Sequence, residues 1–506
     1  MDRRIARAVL SVAFPTLAVG TDFVGAAMLV TAIENDFNVD ITTTQWVFNI
    51  YALTFAMTLV ASGRLADMLG RRRMLLAGLT LFMLSSAACA LSPTITLLIV
   101  SRAIQGVSAS MMWPCVVAIP QASVKPEKRG TTMGLVMGCV TMGNIIGPMV
   151  AGSLASFGDW RWFFGFNVIL AVLGVLMALW LVEPSPDRRR EKIDYAGMIA
   201  LTLAAFALMY AMDVGGDWGW VSWQTIGMLV AAAVLAAVFP LIERAVPQPM
   251  MPARMLRNGH FIIALLANGL MVPSFFMLFL YCAQYLNKVE GWSELASTFG
   301  TLPMMFTIAT TAVLGGRVYD RFGAKWPLVI GFAGTVVGCL LIWTVSRETG
   351  YGMLVVMMMV TAGGGGMCVP LSSTAAVGAV SEKNAGLAGG LSFMSHLGFG
   401  AIGVAIGTAI LSAASAAHLT ASLSKLGIDV SSTDQATLNG GSPQSESSKA
   451  ILSKFTPDQA RQITDAMEQA FTHGFHLAYL APLAFAVIGL ALVLCLTSRK
   501  LESADA

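Results

Sequence analysis

Fourteen stretches of this chain are each apolar over a length that matches a bilayer crossing, and this excludes most folds at once. A hydrocarbon core about 30 Å thick takes about 20 helical residues to cross. Inside it every backbone polar group must be satisfied within the chain, which leaves helices or closed barrels. The stretches are about 9–33, 45–66, 73–92, 95–119, 132–155, 163–182, 196–213, 224–243, 260–285, 295–315, 326–346, 351–376, 386–412 and 475–497. Segments of this length are helices, since barrel strands need only about 10 residues. The chain therefore reads as an all-α polytopic membrane protein. Its composition agrees: 56% of residues are hydrophobic and 12% are charged, against about 25% charged in soluble domains.

The net charge of +3 is too small to imply a nucleic-acid partner. The basic residues instead cluster in short segments between alternate spans. With the N-terminus inside, 23 of the 31 Lys and Arg fall on the inner side, seven on the outer side, and Arg102 stays within a span. The inner set includes Arg71, Arg72, Arg73, Arg188, Arg189, Arg190, Lys192, Arg499 and Lys500; the outer set includes Arg347. Such a bias predicts both termini on the cytoplasmic side; the location expected for the chain is a bacterial plasma (inner) membrane. The start MDRRIARAVLSVAF reads as a retained first helix, because no small-residue cleavage site follows it. The seven cysteines fall in apolar segments without a CxxC pair, so they read as free thiols and not as a disulfide or metal framework.

A long connection is expected over 413–474, with a flexible polar tip TLNGGSPQSESSK between short amphipathic helices. Thr456-Pro457-Asp458 has the form of a helix start. The connection is expected to be a solvated element on the outer surface.

GRLADMLGRRRM (63–74) after the second span and GRVYDRFGAKWP (316–327) after the tenth share Gly63, Asp67 and Gly70 against Gly316, Asp320 and Gly323. The offset of 253 residues is half the chain and points to two homologous bundles. The expected domains are a six-helix bundle over 1–183, a linker and two inserted helices over 184–255, and a second six-helix bundle over 256–506. Glycine permits a tight turn. An aspartate there can accept hydrogen bonds from a neighbouring helix N-terminus or from Arg71 and Arg72, which makes a conformational latch.

These motifs resemble the major facilitator superfamily, and specifically its 14-helix drug:proton antiporter branch. LLIVSRAIQG (97–106) is similar to the helix-4 motif, with Arg102, Gln105 and Gly106. GNIIGPMVAG (143–152) is similar to the helix-5 antiporter motif, with Gly143, Gly147, Pro148 and Gly152, and Asp22 matches the first-helix acid. The resemblance implies a major facilitator fold of two six-helix bundles plus a two-helix insert. It also implies a quaternary-ammonium or multidrug exporter. The chain departs from the branch at MLVTAI (28–33), where Ala-Leu-Pro is usual, and has no acid in helix 10 or 13, which speaks against divalent-cation export.

A charge at mid-bilayer is a functional hypothesis by default. At 1.5 Å per residue, Asp22 and Arg102 each lie about 10 Å from the outer face, at one level, and can pair. Asp22 is read as the site of a proton or a cationic substrate, with Arg102 tuning it; a permanent ion pair that only fixes packing is the alternative. His396, near the middle of helix 13, is a candidate relay or a packing histidine. Gly143, Gly147 and Pro148 are expected to let helix 5 pack closely and bend between the bundles. Asn49, Tyr51, Gln105, Trp113, Asn144, Asn268, Phe275, Phe276 and Tyr281 are candidate cavity residues.

GGGG (363–366) lacks a GKS or GKT ending and lies within a span, so it is no phosphate loop. The expected activity is proton-driven export of amphipathic organic compounds by alternating access. No cofactor or metal is expected, and the partners are a small amphipathic substrate and membrane lipids, with the protein a monomer. A lipid flippase or dedicated natural-product exporter on the same fold is the alternative within transport, with nutrient uptake behind it. A transport-dead membrane sensor is the reading from another class; no catalytic constellation supports an enzyme.

Overall fold

A computed structural model describes residues 3–39, 41–157, 159–183, 194–245, 251–346, 348 and 350–496. The basic segment at 188–193, Arg347, Arg499 and Lys500, all used above to orient the chain, lie outside the described residues, as does much of the expected linker. Among the described residues there is no strand, and 14 helices are long and apolar enough to cross a membrane.

The helices are α1 (Arg3–Gly25), α2 (Ile41–Leu69), α3 (Arg71–Ala90), α4 (Ile95–Ser123), α5 (Arg129–Phe157), α6 (Arg161–Leu181) and α7 (Tyr195–Trp218). They continue as α8 (Trp223–Ala245), α9 (Gly259–Lys288), α10 (Leu302–Phe322), α11 (Lys325–Leu341), α12 (Gly350–Gly378), α13 (Ala385–Leu426) and α14 (Pro457–Leu494, interrupted at Tyr479). The ends of α2, α4, α10 and α12, marked by Arg71, Lys128 and Lys383 just after α2, α4 and α12 and by Arg321 in the last turn of α10, lie on one side, the basic face. The opposite side is called the far face.

Packing follows the order of the chain. α1 packs on α4, α5 and α6, α4 on α2 and α3, and α3 on α6. In the second half α12 packs on α9, α10 and α11, and α9 on α13 and α14. α7 and α8 pair with each other, and α7 leans on α2 and α13. The two halves meet chiefly along α2–α13 and α5–α10.

The far-face connection differs from the expected loop over 413–474. α13 runs 42 residues to Leu426 and α14 starts at Pro457. The TLNGGSPQSESSK tip is structured, with helices at Ser432–Gly440 and Glu446–Leu452. The reason is that both helix extensions carry an apolar stripe. Leu419 and Leu423 of α13 close over Ile463, Met467 and Ala470 of α14, and Leu438 and Ile451 fill the end of this small core. The start at Thr456 is as expected: Gln459 N donates to Thr456 Oγ1, and Thr456 N donates to Gln459 Oε1 at 3.2 Å. Losing such a cap costs about 1 kcal/mol. Thr456→Ala is therefore expected to speed amide hydrogen exchange in the first turn of α14 and to leave the rest of the helix unchanged.

The antiporter-like motif also sits elsewhere than expected. A side-chain carbon at Gly143 would lie 2.8 Å from Leu17 O, and one at Gly147 would lie 2.5 Å from Thr21 O. Both glycines therefore seat α5 against α1 within the first half, and not between the halves. Gly152 faces open space, and α5 continues through Pro148 as one helix. The α5 glycines that meet the other half are Gly130 and Gly134, where an added carbon would lie 2.6 Å from Gly316 O and 2.4 Å from Ala312 O of α10.

Candidate functional site

Three arrangements carry chemistry: a sealed ion pair, a central cavity and two latches on the basic face.

The ion pair is built by five helices of the first half. Arg102 Nη1 of α4 donates to Asp22 Oδ2 of α1 at 2.6 Å, and the two residues are 1% and 0% exposed. Arg102 Nε donates to Val47 O of α2 at 2.9 Å, and Nη1 also donates to Gln105 Oε1 at 2.7 Å. Gln105 Nε2 donates to Ser86 Oγ of α3 at 2.8 Å and reaches Asp22 Oδ1 at 3.4 Å. Asn167 Nδ2 of α6 donates to Asp22 Oδ1 at 2.7 Å. The Tyr51 ring lies 4.3 Å from the guanidinium. A buried charge is tolerated only with a partner and satisfied hydrogen bonds, and this cluster supplies both. Asn167 and Ser86 were missed in the sequence, although a polar side chain inside a span is itself a signal.

The cavity, of about 340 Å³, lies between the halves. Trp113, Asn144, Asn268, Phe275, Phe276 and His396 line it. Other cavity candidates do not: Gln105 and Tyr51 belong to the ion-pair cluster. Tyr281 is buried in the second half, 2.8 Å from Thr408 Oγ1. Asn49 is half-buried on α2 and absent from the lining. Asp22 and Arg102 are also absent from the lining, although Phe23, next to Asp22, is part of it. A substrate in this cavity therefore does not touch the carboxylate, contrary to the reading of Asp22 as a substrate ligand. The cause is helical phase: adjacent side chains on one helix point about 100° apart.

Among the described lining residues no Asp, Glu, Lys or Arg occurs, and His396 is the sole titratable side chain. Its ring stacks on Phe393 at 5.0 Å and 8°, and meets Phe276 edge-on at 5.6 Å. Phe393, in turn, projects from α13 onto Trp113 at 4.0 Å and Phe55 at 5.3 Å. One aromatic column thus joins the halves through the cavity wall. Phe393 and Phe55 carried no signal in the sequence, because an aromatic in an apolar helix is packing by default.

The repeated motifs form the latches. Asp67 accepts hydrogen bonds from Gly386 N at 2.9 Å and Leu387 N at 2.8 Å, at the start of α13. Asp320 accepts from Gly130 N at 2.8 Å, Thr131 N at 3.0 Å and Thr131 Oγ1 at 2.5 Å, at the start of α5. Each aspartate caps a helix of the opposite half, where the unpaired N–H groups and the helix dipole favour an anion. Arg71 lies 3.4 Å from Asp67 and also donates to Glu382 O. Arg72 instead donates to Leu179 O in its own half. Gly70 and Gly323 turn the chain at φ 97° and 79°, which glycine adopts without strain. Gly63 and Gly316 permit the close approach: an added carbon at Gly63 would lie 2.5 Å from Gly386 O.

A family model described as Major Facilitator Superfamily matches residues 10–313 and 295–424. The Multidrug resistance protein Stp of Mycobacterium tuberculosis is 31% identical over 392 residues, covering 77% of this chain and 72% of that protein. The Tetracenomycin C resistance and export protein of Streptomyces glaucescens is 28% identical over 408 residues, 79% of this chain and 74% of that protein. Multidrug resistance protein 3 of Bacillus subtilis is 28% identical over 445 residues, 88% and 86% of the two chains. Among solved structures, the human organic anion transporter MFSD10 aligns with a TM-score of 0.60 at 13% identity, over 97% of this chain and 99% of that one. The proton:xylose symporter XylE aligns with a TM-score of 0.58 at 14% identity, over 99% and 98%. Those two likenesses concern the fold alone.

Proposed function

The chain belongs to the Major Facilitator Superfamily, and from that premise we propose that it is a proton-coupled exporter of amphipathic, largely aromatic organic compounds. It would work by alternating access in a bacterial plasma membrane, with both termini in the cytoplasm. The observation that carries this reading is the charge-free, aromatic-walled cavity between two halves that are latched to each other on the basic face. The relatives support it by name: two are multidrug resistance proteins and one is a tetracenomycin C resistance and export protein. A cavity of this kind holds its ligand by apolar contact, with a few polar groups for orientation. Thr141, Asn144, Asn268, Ser373 and His396 are those groups.

Coupling follows from the buried pair. With Asp22 ionised, Arg102 is neutralised in a site with almost no exposure to solvent. A proton on Asp22 leaves the guanidinium unpaired in low dielectric, which costs several kcal/mol. The protonated protein therefore favours whatever arrangement of α1 and α4 gives Arg102 another partner. Phe23 bridges the pair to the cavity: it lines the cavity and packs 6.3 Å from Tyr51, whose ring covers Arg102. A shift of α1 is thereby felt by bound substrate without direct contact to the carboxylate.

The test is purified protein in proteoliposomes with an imposed pH gradient and a fluorescent amphipathic dye. Wild type is expected to move dye only while the gradient lasts. Asp22→Asn is expected to bind dye and lose gradient-driven movement. Proton-linked export at the normal rate by that variant would remove Asp22 from the coupling mechanism. Dye movement that ignores the gradient in wild type would remove proton coupling altogether.

A further inference from the structure

Three of the five histidines of the chain lie together on the far face, and the cavity and latches make no use of them. His418 stands on the extension of α13; His473 and His476 stand on α14. The His418 and His473 rings stack at 4.8 Å between centroids and 28° between planes. His418 is half-buried and His473 is exposed. Their helices are held in register by the small core beneath them, where Leu419 lies next to His418 and Ala470 one turn from His473. Gly474 and Ser415 mark the close approach of the two backbones at the same level.

Among the described residues neither ring makes a hydrogen bond to a protein group, whereas His476 Nε2 is engaged with Val345 O at 2.9 Å. Two stacked imidazoles therefore share one space from neighbouring helices, with ring nitrogens uncommitted and one ring open to the aqueous side. We propose that His418 and His473 form a two-imidazole site for a divalent transition-metal ion of the zinc, nickel or copper kind, tying α13 to α14 on the far face. Neutral imidazole is a favoured ligand for these ions, and water completes the coordination of an open site. Turning two partly exposed rings so that their nitrogens converge needs only side-chain rotation. The helix register, which costs more to alter, is already set by the core.

The charged and titratable groups acting on the pair are Lys425, one and a half to two turns further along α13 from His418, and His476 on α14. Lys425 opposes a dication and keeps the site weak. The site does not depend on the exporter reading.

The experiment is calorimetric titration of the full chain, purified in detergent without a polyhistidine tag, with zinc chloride and separately with nickel chloride. One ion per chain is expected, with affinity reduced about tenfold or more in both His418→Ala and His473→Ala and unchanged in His476→Gln. Lys425→Ala is expected to tighten binding, a gain that damage to the fold does not produce. His418→Asn and His473→Asn serve if the alanine variants misfold. No binding at millimolar zinc, or binding that survives both histidine substitutions, overturns the proposal.

Discussion

Arg102→Ala is expected to destabilise the protein by about 3–5 kcal/mol, the usual result of removing one partner of a buried pair. The Asp22 carboxylate is 0% exposed, so without the guanidinium it keeps only the amides of Asn167 and Gln105. Val47 O and Gln105 Oε1 lose their donor as well. The measurement is the unfolding midpoint of purified protein in detergent, alongside Asp22→Asn and the double variant Asp22→Asn/Arg102→Met. The double variant has no buried charge at this site and is expected to recover much of the loss. A single variant as stable as wild type would mean that the pair is not sealed from water.

Asp67→Ala is expected to open the basic face. The substitution removes the acceptor of two backbone N–H groups at the start of α13, at 2.9 and 2.8 Å. Hydrogen bonds to charged groups contribute about 1.5–3 kcal/mol each. Two of them compare with the roughly 5.5 kcal/mol that carries a two-state equilibrium from 1:99 to 99:1. Ala388 is buried where α13 meets the first half. A cysteine introduced there, in a background without the native thiols, is expected to react with a membrane-impermeant reagent much faster in the Asp67→Ala background. Equal rates would mean that Asp67 does not hold the seam. Asp320→Ala is the matching experiment on α5, where three donors are lost.

The repeated motif illustrates what was legible in the sequence and what was not. Gly63, Asp67 and Gly70 recur as Gly316, Asp320 and Gly323, and that spacing alone announces two related halves and a turn after each second helix. It does not say that each aspartate caps a helix of the opposite half. That depends on which helices the two halves bring together, a contact between residues 319 positions apart for Asp67 and Gly386. The polar connection before the last span misled for a related reason. Its tip has loop composition, yet the stripes at Leu419, Leu423, Ile463 and Met467 gain burial only when α13 and α14 run on past the bilayer together.

Span number, helical class and the common depth of Asp22 and Arg102 were determined by the sequence, because each rests on a local or one-dimensional quantity; that the two pair was decided by the packed bundle. Hydrocarbon thickness sets the length of a span, and 1.5 Å per residue sets the depth of a charge. Only the tertiary structure decided which way these side chains turn. Asp22 faces into its own half while Phe23 faces the cavity, and the motif glycines Gly143 and Gly147 serve α1 instead of the second half. A helix offers neighbouring residues to different partners, about 100° apart. Which partner each one meets is a property of the packed bundle.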